Sequence, residues 1–257
     1  MAVLTTRSRR EEVVQAHERF GEAARSAGVE VVPVEDGDPD VLVVLGGDGT
    51  MLRGLRATLG TGTPVFGVNF GRVGFLTSAP GDDLDAAVKR VFAGDFRVVE
   101  LCTLQARVTG QEHAAINDVV VTSSRPGRMV ELAYEIGGES LGDQPCDGMI
   151  CCTPSGSTAY NLSNGGPVMM WGLDAMAMTF VAPHTVRARP LVVPRGLDLR
   201  VTNRSQDSSV TVLVDGHEVG ALFGQEEDLQ VGVGEETCCL ALLPEVSFFS
   251  RYHAVFP

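Results

Sequence analysis

One carboxylate in a glycine-rich turn is the first feature of this 257-residue chain that could do chemistry. The apolar run Asp40–Leu45, typical of a buried parallel strand, is followed directly by Gly46-Gly47-Asp48-Gly49-Thr50. Ligands of open α/β sheets bind beyond the carboxyl ends of strands, so the two leading glycines and Thr50 are candidate phosphate-binding residues. Asp48 could accept a hydroxyl proton or hold Mg²⁺. The alternative is a structural turn in which Asp48 caps the next helix.

A second run of small polar residues begins at Asp147, crosses a predicted strand and continues to Pro167. Its middle part reads Thr153-Pro154-Ser155-Gly156-Ser157-Thr158-Ala159-Tyr160, where a helix is expected to begin. Hydroxyl groups can contact phosphate or ribose, and Tyr160 offers a ring for stacking. An ordinary strand–turn–helix with Ser and Thr caps is the alternative. Folding alone, however, does not readily require so many small polar residues in one run.

The charge and composition of the chain exclude some classes of binding partner. The formal net charge is −13, which repels nucleic acid and anionic lipid. The chain has no G-x-x-x-x-G-K-[ST] loop, so helix N-termini, backbone amides and a bound divalent metal are expected to attract nucleotide phosphates. No apolar stretch is long enough to cross a bilayer, and the N-terminus lacks a signal-peptide core. We therefore expect a cytoplasmic protein with neither nucleic-acid nor membrane partners.

Two parts of the chain have different patterns. Up to Arg97, apolar runs alternate with helical periodicity, which predicts an α/β domain with a doubly wound, mostly parallel sheet. From Val98 onward, strand patterns separated by turn residues predict an antiparallel β domain. We predict domains at residues 1–97 and 98–243, with the tail 244–257 a candidate to pack back on the first. Predicted helices are Glu11–Ala27, Met51–Leu59, Asp82–Phe92 and one after Ser157, and predicted strands are Ala2–Thr5, Val29–Val34, Asp40–Leu45, Val65–Val68, Val98–Val108, Ala114–Thr122, Val130–Ile136, Gly148–Thr153, Met178–Val181, Leu197–Val201, Val210–Val214, Leu229–Val233 and Thr237–Leu243.

Together the two motifs resemble signatures of the NAD kinase family. The first matches its GGDGT signature, and the second resembles its D-G-x-x-x-x-T-P-[TS]-G-S-T-A-Y-x-x-S-x-G-G-P signature. GGDGT alone is similar to turns of diacylglycerol kinases and phosphofructokinases, whereas the long block is far more specific. Three further segments agree in order and spacing: Val68–Thr77 resembles N-x-G-x-L-G-F-L, Asn117-Asp118 stands where the family usually has Asn-Glu, and Pro183–Pro194 resembles P-H-x-[LV]-x-x-R-P.

The resemblance implies a kinase that phosphorylates the adenosine 2′-hydroxyl of NAD to give NADP. ATP or polyphosphate would be the donor and Mg²⁺, or another divalent metal, the cofactor. The family also implies that NAD binds between the two domains, and that the protein is a homodimer or homotetramer. Asp48 would be the base that takes the hydroxyl proton, and no residue is assigned to metal. The implied substrate-binding residues are Gly49 and Arg53 at the phosphates, Asn117 and Asp118 at the adenosine, and Phe75, Asp147, Thr158, Ala159, Tyr160, Ser163, Ala182 and His217 in the rest of the pocket.

Some positions depart from the family pattern. Asp118 replaces the usual Glu, Asn164 stands where Ala is usual, and Pro145 lies where many members carry a basic residue. These departures keep two alternatives open. One is a kinase of the same fold that acts on another nucleoside or small-metabolite hydroxyl. The other is a non-catalytic sensor that binds NAD or NADP. Asp215, in the dipeptide Asp215-Gly216, is interpreted as a turn residue with no ligand role.

Overall fold

The computed structural model describes residues 1–5, 11–34, 39–224 and 227–256. The chain divides into two compact units: unit 1 is Met1–Leu101 with Thr237–Pro257, and unit 2 is Cys102–Glu236. The elements in chain order are β1 (Ala2–Thr5), α1 (Glu11–Ala27), β2 (Leu42–Leu45), α2 (Asp48–Ala57), β3 (Pro64–Asn69), β4 (Ala79–Pro80), α3 (Leu84–Phe92), β5 (Arg97–Val108), β6 (Gln111–Ala115), β7 (Asp118–Ser123), β8 (Val130–Ile136), β9 (Glu139–Cys146), β10 (Gly148–Cys152), α4 (Tyr160–Ser163), β11 (Ala175–Val181), β12 (Leu191–Pro194), β13 (Leu199–Asn203), β14 (Val210–Val214), β15 (His217–Leu222), β16 (Asp228–Leu242) and α5 (Phe248–Val255).

Unit 1 is built on a parallel sheet. β1 pairs with β2, β2 with β3, and β3 with both β4 and the last part of β16, all in parallel. Every residue of β2 is buried, as expected for a strand inside a parallel sheet with covered faces. Phe20 of α1 and Leu84 of α3 share one apolar core with Phe66 of β3. The turn that carries Asp48 connects β2 to α2, at the carboxyl end of a central strand.

Unit 2 contains antiparallel strands. One sheet has the order β12-β11-β10-β7-β14-β15, and every neighbouring pair in it is antiparallel. Outside this sheet, β13 pairs antiparallel with β8 and with the first part of β16, β8 with β9, and β5 with β6. Met149, Val212 and Val231 belong to one core cluster. The predicted fold class, an α/β domain followed by a β-rich domain, is confirmed.

Elements with strong local periodicity were predicted well. α1 has the predicted bounds, and it buries Val13, Ala16, Phe20 and Ala24 at helical spacing. α2 begins at Asp48 rather than at Met51. Asp82 lies in a short 3-10 turn that precedes α3. These shifts are at helix ends, where local sequence determines the boundary least sharply.

Other predicted elements were wrong. Val29–Val34 is not a strand, because among its residues only Val32 makes a β-bridge, to Ala2. The segment Ala114–Thr122 is divided into β6 and β7, since the backbone at Ile116 bonds to a side chain instead of a neighbouring strand. Leu229–Val233 and Thr237–Leu243 are one continuous strand, β16. Strands β4, β9, β12 and β15 and helix α5 were missed. β9 lies at a sheet edge and is mostly exposed, so its sequence lacks an apolar alternation.

All six cysteines lie among the described residues and are reduced thiols, and five of them are buried. Burial raises the pKa of the Cys146 and Cys152 thiols to about 12. Such thiols behave as small apolar groups and not as nucleophiles. Within the described part of the chain, no helix is both long and apolar enough to span a bilayer.

Candidate active site

Asp48 is the first residue of α2, and its carboxylate is held by a distant loop. Gly47 is the N-cap, and as a glycine it has no side chain that could cap the helix. Asp48 Oδ2 accepts a hydrogen bond from the backbone N–H of Phe75 at 2.8 Å, and Oδ1 accepts one from Leu76 at 3.1 Å. The carboxylate is therefore fixed at two points, and the interpretation of Asp48 as the cap of its own helix is wrong.

The surroundings of Asp48 favour proton acceptance. Burial raises the pKa of its carboxyl, while the N–H groups of Phe75 and Leu76 and the charge of Arg251 partly oppose that rise. A carboxylate with a raised pKa holds an abstracted proton more tightly than an exposed one does, which suits a general base. The Asp48 carboxylate thus has both a fixed orientation and a raised pKa.

Gly74 provides the space for that carboxylate. A Cβ atom at Gly74 would lie 2.3 Å from each of the two carboxylate oxygens of Asp48. Gly74 is not among the candidate residues predicted from the sequence, although it belongs to the segment Val68–Thr77 that resembles N-x-G-x-L-G-F-L. Its close approach to Asp48, rather than a special backbone angle, is the reason for glycine here.

The other candidate residues of unit 1 surround the same turn. Gly46 is buried, and a Cβ there would lie 2.5 Å from the hydroxyl oxygen of Thr50. Gly49 is exposed, and Arg53 is half-buried one turn further along α2. The first N–H groups of a helix have no acceptor inside it. They carry partial positive charge suited to phosphate. The N–H of Gly46, however, donates to Val68 O at 2.9 Å, and that of Thr50 donates to Gly47 O at 2.8 Å. The phosphate role of Gly46, Gly47 and Thr50 therefore stays a prediction.

In unit 2, the Asp215 side chain organises the residues around Asn117. Asp215 lies in a turn with φ 46°. Its Oδ1 accepts hydrogen bonds from the N–H groups of Asn117 at 2.7 Å and Asp118 at 3.1 Å, and its Oδ2 accepts one from Ile116 at 3.0 Å. Asp215 is thus a turn residue, but it also fixes the backbone of two candidate ligand residues. Sequence reasoning missed this second role, which links positions 97 to 99 residues apart.

The polar turn after β10 is attached to the same backbone. Thr153 Oγ1 donates to Ile116 O at 2.7 Å, and the N–H of Thr153 donates to Asn117 O at 2.9 Å. Gly156 packs so closely that a Cβ would lie 2.0 Å from Asn117 O. Ser157 is buried, and its hydroxyl donates to Pro154 O at 2.7 Å. Folding therefore does use several hydroxyls that the sequence analysis treated as available for ligand.

The groups that can still contact a ligand lie at the far end of the turn. Thr158 and Ala159 are half-buried, and Tyr160 and Ser163 are exposed. The Thr158 hydroxyl donates to Ser155 O at 3.3 Å, so it can only accept a hydrogen bond from a ligand. Asn161 is buried; its amide donates to Ser157 O and to Pro167 O, and its carbonyl accepts from Thr179. These internal bonds hold the short helix α4 and leave the Tyr160 ring, 46% exposed, free to stack on a planar group.

The remaining candidates form two groups within unit 2. Asp147 and Ala182 lie close together, since the N–H of Asp147 donates to Val181 O at 3.0 Å. His184 Nε2 is 3.8 Å from Asp147 Oδ1, and both side chains are about half exposed. His217 lies instead at the turn of Asp215, where its Nδ1 is 3.1 Å from Asp215 O.

Asp118 is a buried carboxyl, and only 7% of it is exposed. Burial, and next the charge of Asp215, raise its pKa to about 7. Since an unfolded Asp ionises near its ordinary value of 3.8, folding keeps a proton on Asp118 between roughly pH 4 and pH 7. The folded state then binds more protons than the unfolded state, so the Asp118 contribution to stability falls as pH rises through that window and levels off above it.

Replacing Asp118 by Asn is expected to remove the loss of stability that the ionisation of buried Asp118 causes. The gain in unfolding free energy over the wild type should grow from about pH 4 to pH 7, to on the order of 4 kcal/mol, and then stay constant. Urea unfolding of both proteins across that range measures it. Asp143→Asn, at an exposed position, controls for the loss of one negative charge. A gain that does not vary with pH would contradict the burial of an ionisable Asp118.

Comparison with known proteins shows the family to which this chain belongs. The family model for the ATP-NAD kinase N-terminal domain matches residues 4–96, and that for the ATP-NAD kinase C-terminal domain matches residues 116–240. A NAD kinase of Gemmatimonas aurantiaca is 40% identical over 225 residues, 84% of this chain and 77% of that protein. A NAD kinase of Heliobacterium modesticaldum is 41% identical over 215 residues, 82% of this chain and 76% of that protein. The chain belongs to the NAD kinase family.

Solved structures of NAD kinases share the fold. A crystal structure of an NAD kinase from Archaeoglobus fulgidus in complex with ATP superposes with a TM-score of 0.81 and 26% identity, covering 98% of both chains. The yeast NADH kinase complexed with NADH gives a TM-score of 0.87 and 21% identity, over 98% of this chain and 85% of that one. The latter likeness concerns the fold alone. The resemblance to the NAD kinase family found in the motifs is confirmed, and the chain is an enzyme of that family.

Proposed function

We propose that this enzyme transfers a phosphoryl group from ATP to the adenosine 2′-hydroxyl of NAD, and that Asp48 accepts the hydroxyl proton. The observation that carries the proposal is the Asp48 carboxylate, half-buried at a glycine turn and held by two backbone N–H groups. Relatives named NAD kinase and a structural neighbour solved with ATP support the choice of substrates.

The chemistry explains what the chain must supply. A ribose hydroxyl is a poor nucleophile at neutral pH, so the enzyme has to align it with the donor and stabilise charge on the transferring oxygens. A general base contributes about 10²–10⁴-fold. We assign the donor phosphates to Gly46, Gly47, Gly49, Thr50 and Arg53, because these residues surround the first turn of α2.

NAD recognition is assigned to unit 2. The segment at Asn117 and the turn at Thr158 are held by buried hydrogen bonds, so their exposed groups are preorganised for a ligand. Tyr160 offers a partly exposed ring to a nicotinamide or adenine plane. The proposed binding residues are Asn117, Asp118, Asp147, Thr158, Ala159, Tyr160, Ser163, Ala182 and His217, together with Phe75 of unit 1.

Mg²⁺ is proposed as the ion that accompanies the ATP phosphates. Over the residues that the structure describes, no group of three or more His, Cys, Asp and Glu side chains could hold a metal ion. When bound with the donor, the ion neutralises charge on the phosphate oxygens. Residues of this chain then have to orient the hydroxyl and take up its proton.

We also propose that the protein is cytoplasmic and that it forms a homodimer or homotetramer. Strand β12 lies at an edge of its sheet and exposes Leu191 and Val192, 39% and 52% respectively. Such an edge is suited to pairing with another chain. Light scattering of the purified protein measures the oligomeric state.

One assay tests the reaction and separates it from the alternatives. The purified enzyme is incubated with NAD and Mg²⁺, and with either ATP or polyphosphate, and NADP formation is followed. NADP formed with ATP supports the proposal, and the polyphosphate arm settles the donor. ATP turnover only with another nucleoside or metabolite would favour the kinase of altered specificity. NAD binding without turnover of any acceptor would favour a sensor.

A further inference from the structure

The C-terminal helix α5 contacts the loop that holds Asp48. The helix starts at a capping box formed by Ser247 and Ser250. Phe248 is buried, and its ring centroid lies 5.9 Å from that of Phe75. The ring of Phe256, just beyond α5, lies 6.0 Å from the same Phe75 ring. α5 thus packs on the residue whose N–H binds the Asp48 carboxylate.

Arg251 attaches α5 to the backbone of this loop. Its Nη2 donates a hydrogen bond to the carbonyl oxygen of Thr77. Phe75 and Leu76, the two residues before Thr77, are those that bind Asp48. The next residue is anchored too: the N–H of Ser78 donates to Gly67 O at 2.8 Å, and its hydroxyl donates to Ala241 O at 2.6 Å. Four consecutive residues are therefore held in place, two of them by the Asp48 carboxylate and one by the Arg251 guanidinium.

Arg251 is also partly buried, and one of its hydrogen-bond donors is unused. Its Nε is shielded from solvent and has no hydrogen-bond partner among the described residues. Burial lowers the pKa of its guanidinium, and the charge of Asp48 opposes that effect. A buried cation with an unused donor costs stability.

The charge of Arg251 acts on Asp48 itself. Burial raises the pKa of Asp48, and Arg251 is the charged side chain that lowers it. The other basic groups on the elements around Asp48 are Arg53 and Arg56 on α2, Arg72 in the loop before Gly74, and His253 on α5. A nearby cation favours the ionised form of a buried carboxyl, which is the form that can accept a proton.

We propose that Arg251 is a positioning residue for Asp48: it holds the segment Phe75–Thr77 in place and puts a positive charge beside the loop that binds the Asp48 carboxylate. The inference rests on the proposed role of Asp48 as the base. It gives the C-terminal helix, far from the glycine turn in sequence, a direct part in the reaction. Arg251 acts through Asp48 and is not assigned a contact with either substrate.

The test separates the charge of Arg251 from its hydrogen bond. Arg251→Gln removes the charge together with the Nη2 donor to Thr77 O, citrulline at position 251 removes the charge and keeps that donor, and Arg251→Lys retains the charge. We measure kcat/KM for NAD at saturating Mg-ATP from about pH 5.5 to about pH 9. In Arg251→Gln the acid limb should move up by about one pH unit, which lowers activity about tenfold below the limb. In Arg251→Lys the limb should stay near its wild-type position.

Arg97→Met is the matched control. Arg97 Nη2 also donates to a backbone carbonyl of the C-terminal segment, Val246 O at 2.6 Å, so its loss loosens that segment without removing the charge that acts on Asp48. This variant should keep the wild-type acid limb. Citrulline at position 251 is introduced by ligating a synthetic 239–257 peptide at the native Cys239, and its acid limb should move as that of Arg251→Gln does, even if Arg251→Gln does not fold.

The outcomes distinguish this inference from the proposed function. A wild-type enzyme that makes no NADP, or shows no acid limb, would overturn both. A wild-type acid limb that is unchanged in Arg251→Gln and in the citrulline protein would overturn the role of Arg251 alone. A loss of activity by the same factor at every pH would likewise overturn it, because that is the effect of a merely structural anchor.

Discussion

Asp48→Asn is expected to lower kcat for NADP formation by about 10²–10⁴-fold. The amide has nearly the shape of the carboxylate but cannot take a proton from the ribose hydroxyl. Its NH₂ group would also face one of the N–H donors of Phe75 and Leu76, which now bind carboxylate oxygens. NAD affinity should stay within about twofold, because the residues assigned to NAD lie mostly in unit 2.

Two measurements check this expectation. Steady-state kinetics at saturating substrates provide kcat, and titration of the purified variant with NAD provides the affinity. Asp83→Asn, at an exposed carboxylate in unit 1, controls for the loss of one negative charge and should keep wild-type kcat. Full activity in Asp48→Asn would remove Asp48 from the mechanism.

Gly74→Ala is expected to lower kcat by about 10²-fold while the protein stays folded. The added methyl group would lie 2.3 Å from each Asp48 carboxylate oxygen, so the carboxylate must move away from the N–H groups that orient it. A displacement of about 1 Å at a reacting group is enough to cause a loss of this size. The new contact is with a side chain, which can shift, and therefore the backbone is expected to stay in place.

Gly71→Ala is the matched control in the same loop. A Cβ there would lie no closer than 3.7 Å, to Asn69 Oδ1, so kcat should be unchanged. In the double variant Gly74→Ala/Asp48→Asn, the losses should not add, since both act on the same carboxylate. Wild-type kcat in Gly74→Ala would show that the position of the Asp48 carboxylate does not limit the reaction.

Local sequence was sufficient for elements whose period and end signals agree. α1 could be predicted because its apolar residues recur at helical spacing and Gly28 follows its end with φ 67°. The buried strand β2 could be predicted from its continuous apolar run. β9 could not, since its exposed residues carry no alternation, and only pairing with β8 makes it a strand.

The residues of the candidate site also fall into two groups, those that local sequence could predict and those that it could not. The glycine turn at Asp48 and the polar turn before Tyr160 could be found from residue types alone, because short-range chemistry determines both. The residues that position them could not be found in this way. Phe75 is 27 residues from Asp48, Asp215 is 98 residues from Asn117, and Arg251 is 174 residues from Thr77.

The sequence by itself determined the family, the fold class and the chemical groups available for phosphoryl transfer. Only the tertiary structure decided which backbone groups hold the Asp48 carboxylate, which hydroxyls of the polar turn are used in folding, and where Arg251 lies. The physical reason is that hydrogen bonds and burial between distant segments depend on how the chain packs. A pattern of neighbouring residues carries no information about partners that only folding brings within reach.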